Sequence, residues 1–303
     1  MKDITIIGGG CAGLTAAVYG ARAGKDVLVL EGGVLGGQIS YSPRVENYPS
    51  IQSISGADFS EQLYEQALSL GVSVEFTEVT EVKEKDNHFV VVTGQGEFET
   101  RTVVIATGVK HRALDIDGEK AMAGHGVSYC ATCDGAFFRN QKVAVVGGGN
   151  TALLGAEYLS SICDHVTLIH RRDAFRGEEA LVKRLREKDN VTLMTPYVVT
   201  KIEGEGALKG AIVKNVKDES ETSLDVSGIF VLAGQIPNND LFKDLVKLTE
   251  GGFIDAKEDC KTSRPGIFVA GDCREKTVRQ LTTAAADGTV AALAASSYID
   301  ENF

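Results

Sequence analysis

Apolar positions along the chain fall into one plan that is written twice. Ile4-Thr5-Ile6-Ile7 is a short apolar run that ends in Gly8-Gly9-Gly10-Cys11-Ala12-Gly13. An alanine-rich amphipathic stretch follows to Ala23, with Gly24 placed to cap it, and then comes Val27-Leu28-Val29-Leu30. The pattern predicts strand, glycine-rich turn, helix, strand. It recurs when Val143-Ala144-Val145-Val146 leads into Gly147-Gly148-Gly149-Asn150-Thr151-Ala152, a helical stretch and Val166-Thr167-Leu168-Ile169.

After each unit the period changes to alternating residues rich in Val, Thr and Glu, over about 72–105 and 191–231. Each alternating segment closes on an apolar strand and a small-residue turn. The first ends in Ala106-Thr107-Gly108 and the second in Ala233-Gly234. Two copies of strand–helix–strand plus meander predict an α/β protein with two Rossmann-like dinucleotide-binding domains, each a parallel sheet with a β-meander. The tail carries one more strand-like run, 266–272, and an alanine-rich helix from Leu281, too little for a third domain. It is expected to complete the first. The expected division is therefore 1–112 with 236–303, and 113–235.

A glycine-rich turn alone is compatible with any tight passage from strand to helix. Between a predicted strand and helix, Gly8, Gly10 and Gly13, and again Gly147 and Gly149, would let a pyrophosphate reach helix N–H groups. The residue after the second strand separates the copies. Glu31 stands as far beyond Gly8 as His170 stands beyond Gly147. A carboxylate there accepts bonds from a free ribose 2′-hydroxyl and repels a 2′-phosphate, so the first site suits FAD or NAD. At the second, His170-Arg171-Arg172 with Arg176 offers guanidinium groups that match a 2′-phosphate, as in NADPH. The other reading of that stretch is a solvated basic patch.

Between the halves lies Tyr129-Cys130-Ala131-Thr132-Cys133-Asp134-Gly135. This spacing brings two sulfurs within bonding range, and a depressed thiol pKa makes such a pair competent for exchange. Half a zinc site is the competing reading, but no second such pair exists and the other cysteines are scattered, so no metal is expected. Asp134 is either a general acid beside the dithiol or the Asp of an Asp-Gly turn. A net charge of −11 argues against nucleic acid as a partner. No run approaches the ~20 apolar residues of a membrane span. The first strand begins at once, without room for a signal peptide, and a cytoplasmic protein is expected.

Cys-Ala-Thr-Cys-Asp-Gly, Arg139-Asn140-Gln141-Lys142-Val143 with the second glycine turn, and His-Arg-Arg-Asp-x-Phe-Arg together resemble the low-molecular-weight thioredoxin reductases over essentially the whole chain. The resemblance implies that Gly36, Gly37, Gln38 and Asn47, with Gly271, Asp272, Arg279 and Gln280, hold FAD. It implies that Cys133 faces the flavin, that Cys130 attacks the partner disulfide and that Asp134 is the acid. It further implies thioredoxin or a similar small protein as electron acceptor, a homodimer, and a large rotation between domains. Ala106, Thr107 and Gly108 join the expected cofactor-binding set, as do Asn150, Thr151 and Ala152. Three positions depart from the family pattern: Leu154 and Gly155 stand where acidic residues are common, and Cys11 where proline is frequent. A ferredoxin- or flavodoxin-NADP reductase of similar architecture is the alternative activity, and it would not need Cys130 and Cys133.

Overall fold

A computed structural model describes residues 1–303 and divides them into two compact units, Met1–Lys110 with Ile236–Phe303, and His111–Gln235. The first unit opens with β1 (Lys2–Ile7), α1 (Cys11–Arg22), β2 (Val27–Leu30), α2 (Gly56–Ser69) and β3 (Ser73–Glu75). It continues through β4 (Val79–Lys85), β5 (His88–Thr93), β6 (Gly96–Ile105) and the short exit strand β7 (Val109–His111). The second unit runs α3 (Glu119–Met122), β8 (Val127–Ser128), α4 (Ala131–Asp134), β9 (Lys142–Val146), α5 (Asn150–Ser160) and β10 (His165–Ile169). Then come α6 (Glu179–Arg186), β11 (Val191–Met194), β12 (Tyr197–Gly204), β13 (Leu208–Asn215), β14 (Glu221–Leu224) and β15 (Gly228–Val231). The chain returns through β16 (Gln235–Pro237) to β17 (Ile267–Val269) and α7 (Leu281–Asn302).

In the first unit β3, β2, β1, β6 and β17 form a parallel sheet, with β17 of the tail paired to β6. β6 serves three partner strands along its length. Its first half closes the β4–β5 meander, and its second half lies between β1 and β17. Alternation along the strands sorts the core into two layers. Ile4, Ile6, Val27, Val29 and Val104 pack with the alanines of α1 and α7, while Leu28, Leu30, Val103 and Ile105 pack with Phe242, Val246 and Val269.

The second unit repeats the plan with a parallel sheet in the order β11-β10-β9-β15-β8 and a separate antiparallel meander of β12, β13 and β14. The alternating segments read from the sequence are thus longer than the meanders. β3 and β11 pair in parallel with β2 and β10 instead. Each follows a helix, and the helical crossover delivers it beside the strand it left.

α1 and α7 meet backbone to backbone. A Cβ on Gly288 of α7 would lie 2.3 Å from Ala12 O and 3.0 Å from Ala16 N on α1. Main-chain atoms cannot swing aside as a side chain would. Gly288→Ala is therefore expected to cost about 1–3 kcal/mol through overpacking. Thermal unfolding of the purified variant would measure it, and an unchanged midpoint would contradict the close crossing.

Candidate functional site

At the end of β1 the chain turns through Gly8, whose φ is +112° and whose Cβ, were there one, would sit 2.4 Å from Ala106 O. The head of α1 therefore lies on the turn that follows β6, and the expected residues Gly8 and Ala106-Thr107-Gly108 come together. Gly13 is as tightly placed, with Gly8 O 1.9 Å from where its Cβ would be. The N-cap of α1, Gly10, brings no side chain to the first-turn N–H groups. That end of the helix presents unpaired donors and a positive partial charge. Just past β2, Glu31 accepts the N–H groups of Gly9 and Gly33 at 2.6 Å each. A carboxylate has about four acceptor positions, so it can still receive ribose hydroxyls.

Other expected first-site residues gather around this turn. Gly36 N–H donates to Gly9 O at 2.9 Å, and the Gln38 amide donates to Val109 O. Asn47 donates to Gln280 Oε1 at 3.3 Å, and Gln280 caps α7 through a reciprocal box with Thr283. Gly271 lies against Ala12, whose Cβ is 2.8 Å from the position of its missing one. Beside it, Asp272 Oδ1 is buried without a hydrogen-bond partner, and burial pushes this carboxyl up from its usual range. Arg279 holds its own loop: its guanidinium donates to the carbonyls of Asp272, Lys276 and Arg274 and covers the Phe253 ring at 4.4 Å.

Two residues that the sequence reading missed hold these loops. Asn239 is buried, donates to Gly252 O and Cys273 O, and accepts from Thr107 Oγ1 at 3.3 Å. Asp287, on α7, accepts the Gly271 N–H at 3.0 Å and is clasped by Arg274 and Lys276 at 2.8–2.9 Å. Burial alone would raise its pKa, but the hydrogen bonds from Arg274 and then Lys276 prevail and hold it below the ordinary value. A signal was present. Asp287 is the one charged residue in a long alanine-rich run, which a purely apolar helix face does not call for.

In the second unit, Gly147 repeats Gly8, since its Cβ would sit 2.4 Å from Leu232 O. Gly149 caps α5 without a side-chain bond, and Ala152 is fully buried behind it while Thr151 is exposed. Asn150 is engaged with Glu178, donating to Oε1 at 3.0 Å and accepting its N–H at 2.8 Å. His170 turns inward. Its ring fills the space a Gly148 side chain would need, stacks on Phe175 at 5.3 Å, and leaves Nε2 buried without a partner. Burial, then the nearby Arg176, lowers its pKa, so at neutral pH it carries no charge. The positive charge of this corner resides on Arg171, Arg172 and Arg176, which are exposed and form no ion pair, whereas the intervening Asp173 pairs with Lys217 at 2.5 Å.

Cys130 and Cys133 are joined by a disulfide of 2.09 Å across α4. The sulfurs are bound to each other. Cys130 Sγ accepts the Cys133 N–H at 3.2 Å. The half-buried Asp134 accepts a 2.6 Å bond from Ser128 Oγ. Burial raises the pKa of this carboxyl, and the Ser128 bond offsets part of the rise. Gly155 makes room for α4, because a Cβ there would be 3.3 Å from that of Ala131 and 2.4 Å from Leu232 Cδ1. This departure from the family pattern thus has a packing reason. The remaining cysteines are buried, and burial pushes Cys11 and Cys163 up to about 11 and Cys260 to about 12. They stay protonated and unreactive at neutral pH.

Residues 2–288 match the family model described as pyridine nucleotide-disulphide oxidoreductase. The chain is 40% identical over 300 residues to the thioredoxin reductase of Listeria monocytogenes, covering 99% of this chain and 94% of that one. It is 40% identical over 299 residues to that of Treponema pallidum, with 98% and 97% covered. The crystal structure of thioredoxin reductase from Streptococcus pyogenes superposes with a TM-score of 0.95 at 38% identity, covering 99% of each chain.

Arg274 tests the worth of its two acidic partners. Asp287 is 7% exposed, whereas Glu258, also within 3.3 Å, is 91% exposed. Asp287→Ala leaves Arg274 with only the exposed Glu258 and Lys276 with only Asp272 at 3.6 Å, and is expected to cost about 3 kcal/mol, against almost nothing for Glu258→Ala. Equal losses in denaturant unfolding would contradict this assignment.

Proposed function

The chain belongs to the pyridine nucleotide-disulphide oxidoreductase family, and we propose that it works as a thioredoxin reductase, carrying electrons from NADPH through FAD and the Cys130–Cys133 pair to the disulfide of thioredoxin or a similar small protein. The disulfide set beside a protonatable Asp134 carries this reading. No helix is long and apolar enough to cross a membrane. By the family resemblance the chain would work in the cytoplasm as a homodimer.

The residues fit both nucleotides. For FAD there are the uncapped head of α1, the Glu31 carboxylate and the buried Oδ1 of Asp272, which makes no hydrogen bond although Lys276 Nζ lies 3.6 Å away. For NADPH there are the uncapped head of α5 and three unpaired arginines beside it. Three free guanidinium groups on a chain of net charge −11 favour a phosphate over a bare hydroxyl. When bound, the flavin supplies a two-electron relay that accepts hydride from nicotinamide and passes the pair to a disulfide.

The protein's own part begins with the reduced dithiol. The Cys130 thiolate attacks one sulfur of the partner disulfide, forming a mixed disulfide and releasing the other partner sulfur as a thiolate. Asp134 gives its proton to that thiolate. The Cys133 thiolate then attacks Cys130 Sγ, re-forming the internal disulfide and releasing the second partner sulfur. One S–S bond is broken in the partner and one is made here, so the electron pair has moved outward. The Cys133 N–H, pointed at Cys130 Sγ, stabilises the thiolate form of the attacking residue.

Cys133→Ser is expected to abolish NADPH-dependent reduction of thioredoxin while the flavin stays bound and reducible by NADPH. Stopped-flow absorbance with and without thioredoxin reads both, and undiminished turnover would favour the ferredoxin- or flavodoxin-type reductase. Arg171→Ala is expected to lower kcat/KM for NADPH roughly tenfold, the loss of one charge-assisted bond, and to leave NADH almost unaffected. Equal use of the two nicotinamides by the unmodified protein would refute the role given to the arginines.

A further inference from the structure

Ser128 lies outside every motif noted in the sequence, yet it is the only hydrogen-bond partner of the Asp134 carboxylate. We infer that Ser128 is a positioning residue for thiol exchange: its hydroxyl holds Asp134 Oδ2, so that the proton given to the departing thiolate resides on Oδ1. The inference rests on the reading of Asp134 as the acid.

The geometry leaves the hydroxyl little choice. Ser128 is buried, and its Oγ accepts the Cys130 N–H at 3.1 Å. Its single hydrogen has two acceptors in reach, Asp134 Oδ2 at 2.6 Å and Cys130 O at 3.2 Å. The shorter bond to a charged oxygen is the stronger. Cys130 O is in any case supplied by the Asp134 N–H at 3.2 Å. With its hydrogen committed to Oδ2, the serine disfavours a proton on that oxygen, and Oδ1 becomes the place for it. The same hydroxyl also fixes the main chain of the attacking cysteine, so nucleophile and acid share one anchor.

No other group competes for control of this carboxyl. On the packed elements, Tyr158 of α5 lies with its ring against Gly135, and Glu157 is tied to Arg184 at 2.7 Å. Tyr129 gives its hydroxyl to the buried Glu119 at 3.0 Å and stacks on His111, while Arg139 is exposed beyond the following turn, where its charge acts on Cys163. Asp134 forms no ion pair. Its acidity is set by burial, which raises it, and by this one hydroxyl, which lowers it.

The sign of the consequence follows. A general acid works below its pKa, so kcat/KM for thioredoxin should fall as pH rises through that of Asp134. Removing the hydroxyl withdraws stabilisation from the ionised form, and the falling limb should move to higher pH. The test is the pH profile of kcat/KM for one purified bacterial thioredoxin, with saturating NADPH and dithiobisnitrobenzoate as terminal acceptor. The same partner in every assay makes its own titration common to all. S128A is expected to shift the alkaline limb upward by about one pH unit, the size of a lost hydrogen bond to a charged group. S128T, which keeps the hydroxyl, should return it. S128G repeats the loss should S128A not hold flavin, and thermal midpoints report folding. D134N separates the two claims. If its alkaline limb matches that of the unmodified protein, Asp134 is not the acid. If the limb vanishes in D134N but stays in place in S128A, or moves equally in S128A and S128T, the acid stands and the role of Ser128 is overturned.

Discussion

At the heads of α1 and α5, main chain lies on main chain. Gly8 meets Ala106 O and Gly147 meets Leu232 O, each at 2.4 Å from where a Cβ would be, and no other residue type fits either place. That contact brings the N-terminus of α1 to the end of β6 and that of α5 to the end of β15. β1 must pair with β6, and β9 with β15, for this to happen, and both do. The crevice at the carboxyl ends of these strands, where open parallel sheets bind ligands, follows from that strand order. Neither helix head carries a side-chain cap on its first-turn N–H groups.

Given two such crevices, what distinguishes them is the fate of one residue after the second strand. Glu31 stays at the rim, and its charge is neutralised in part by the N–H groups of Gly9 and Gly33. Those bonds fix the carboxylate without consuming all of its acceptor capacity. His170 goes the other way, into the fold beneath Gly148, and gives up its charge to burial. A neutral ring there removes the repulsion a carboxylate would exert and supplies a platform with Phe175. The positive charge lies on the arginines that follow. The second crevice therefore differs from the first in two ways, a carboxylate replaced by a neutral buried ring and three exposed arginines without ion-pair partners.

Much of this was legible in the sequence because the signals were local. Strand–turn–helix units announced themselves by period and by glycine, and the redox pair by its spacing. Position alone marked Glu31 and His170. What the residues could not show was the direction of a side chain, so His170 read as part of the basic surface when its ring is buried. Contacts between distant segments were equally silent. Asn239 joins Thr107 to Cys273 across chain separations that no local window spans, and Asp287 secures Gly271 between a loop and a helix that periodicity alone does not bring together. β3 and β11 read as parts of the meanders because alternation does not name a partner strand. Ser128 carried no signal, since a serine before a cysteine motif is unremarkable until the sheet fixes where its hydroxyl points.

That last point bears on how a dithiol can cycle without losing its shape. When the disulfide opens, the covalent tie across α4 is gone, and two thiols could drift apart. Other bonds remain. Ser128 is held at the end of β8 by pairing with Phe230 on β15, deep in the second sheet. From that fixed point its hydroxyl grips the Cys130 N–H and the Asp134 carboxylate, while the Asp134 N–H returns to Cys130 O. None of these bonds involves the sulfur–sulfur link, so all survive reduction. The turn is preorganised by its hydrogen bonds and only closed by its disulfide, and the small rearrangement that remains favours rapid exchange in both directions.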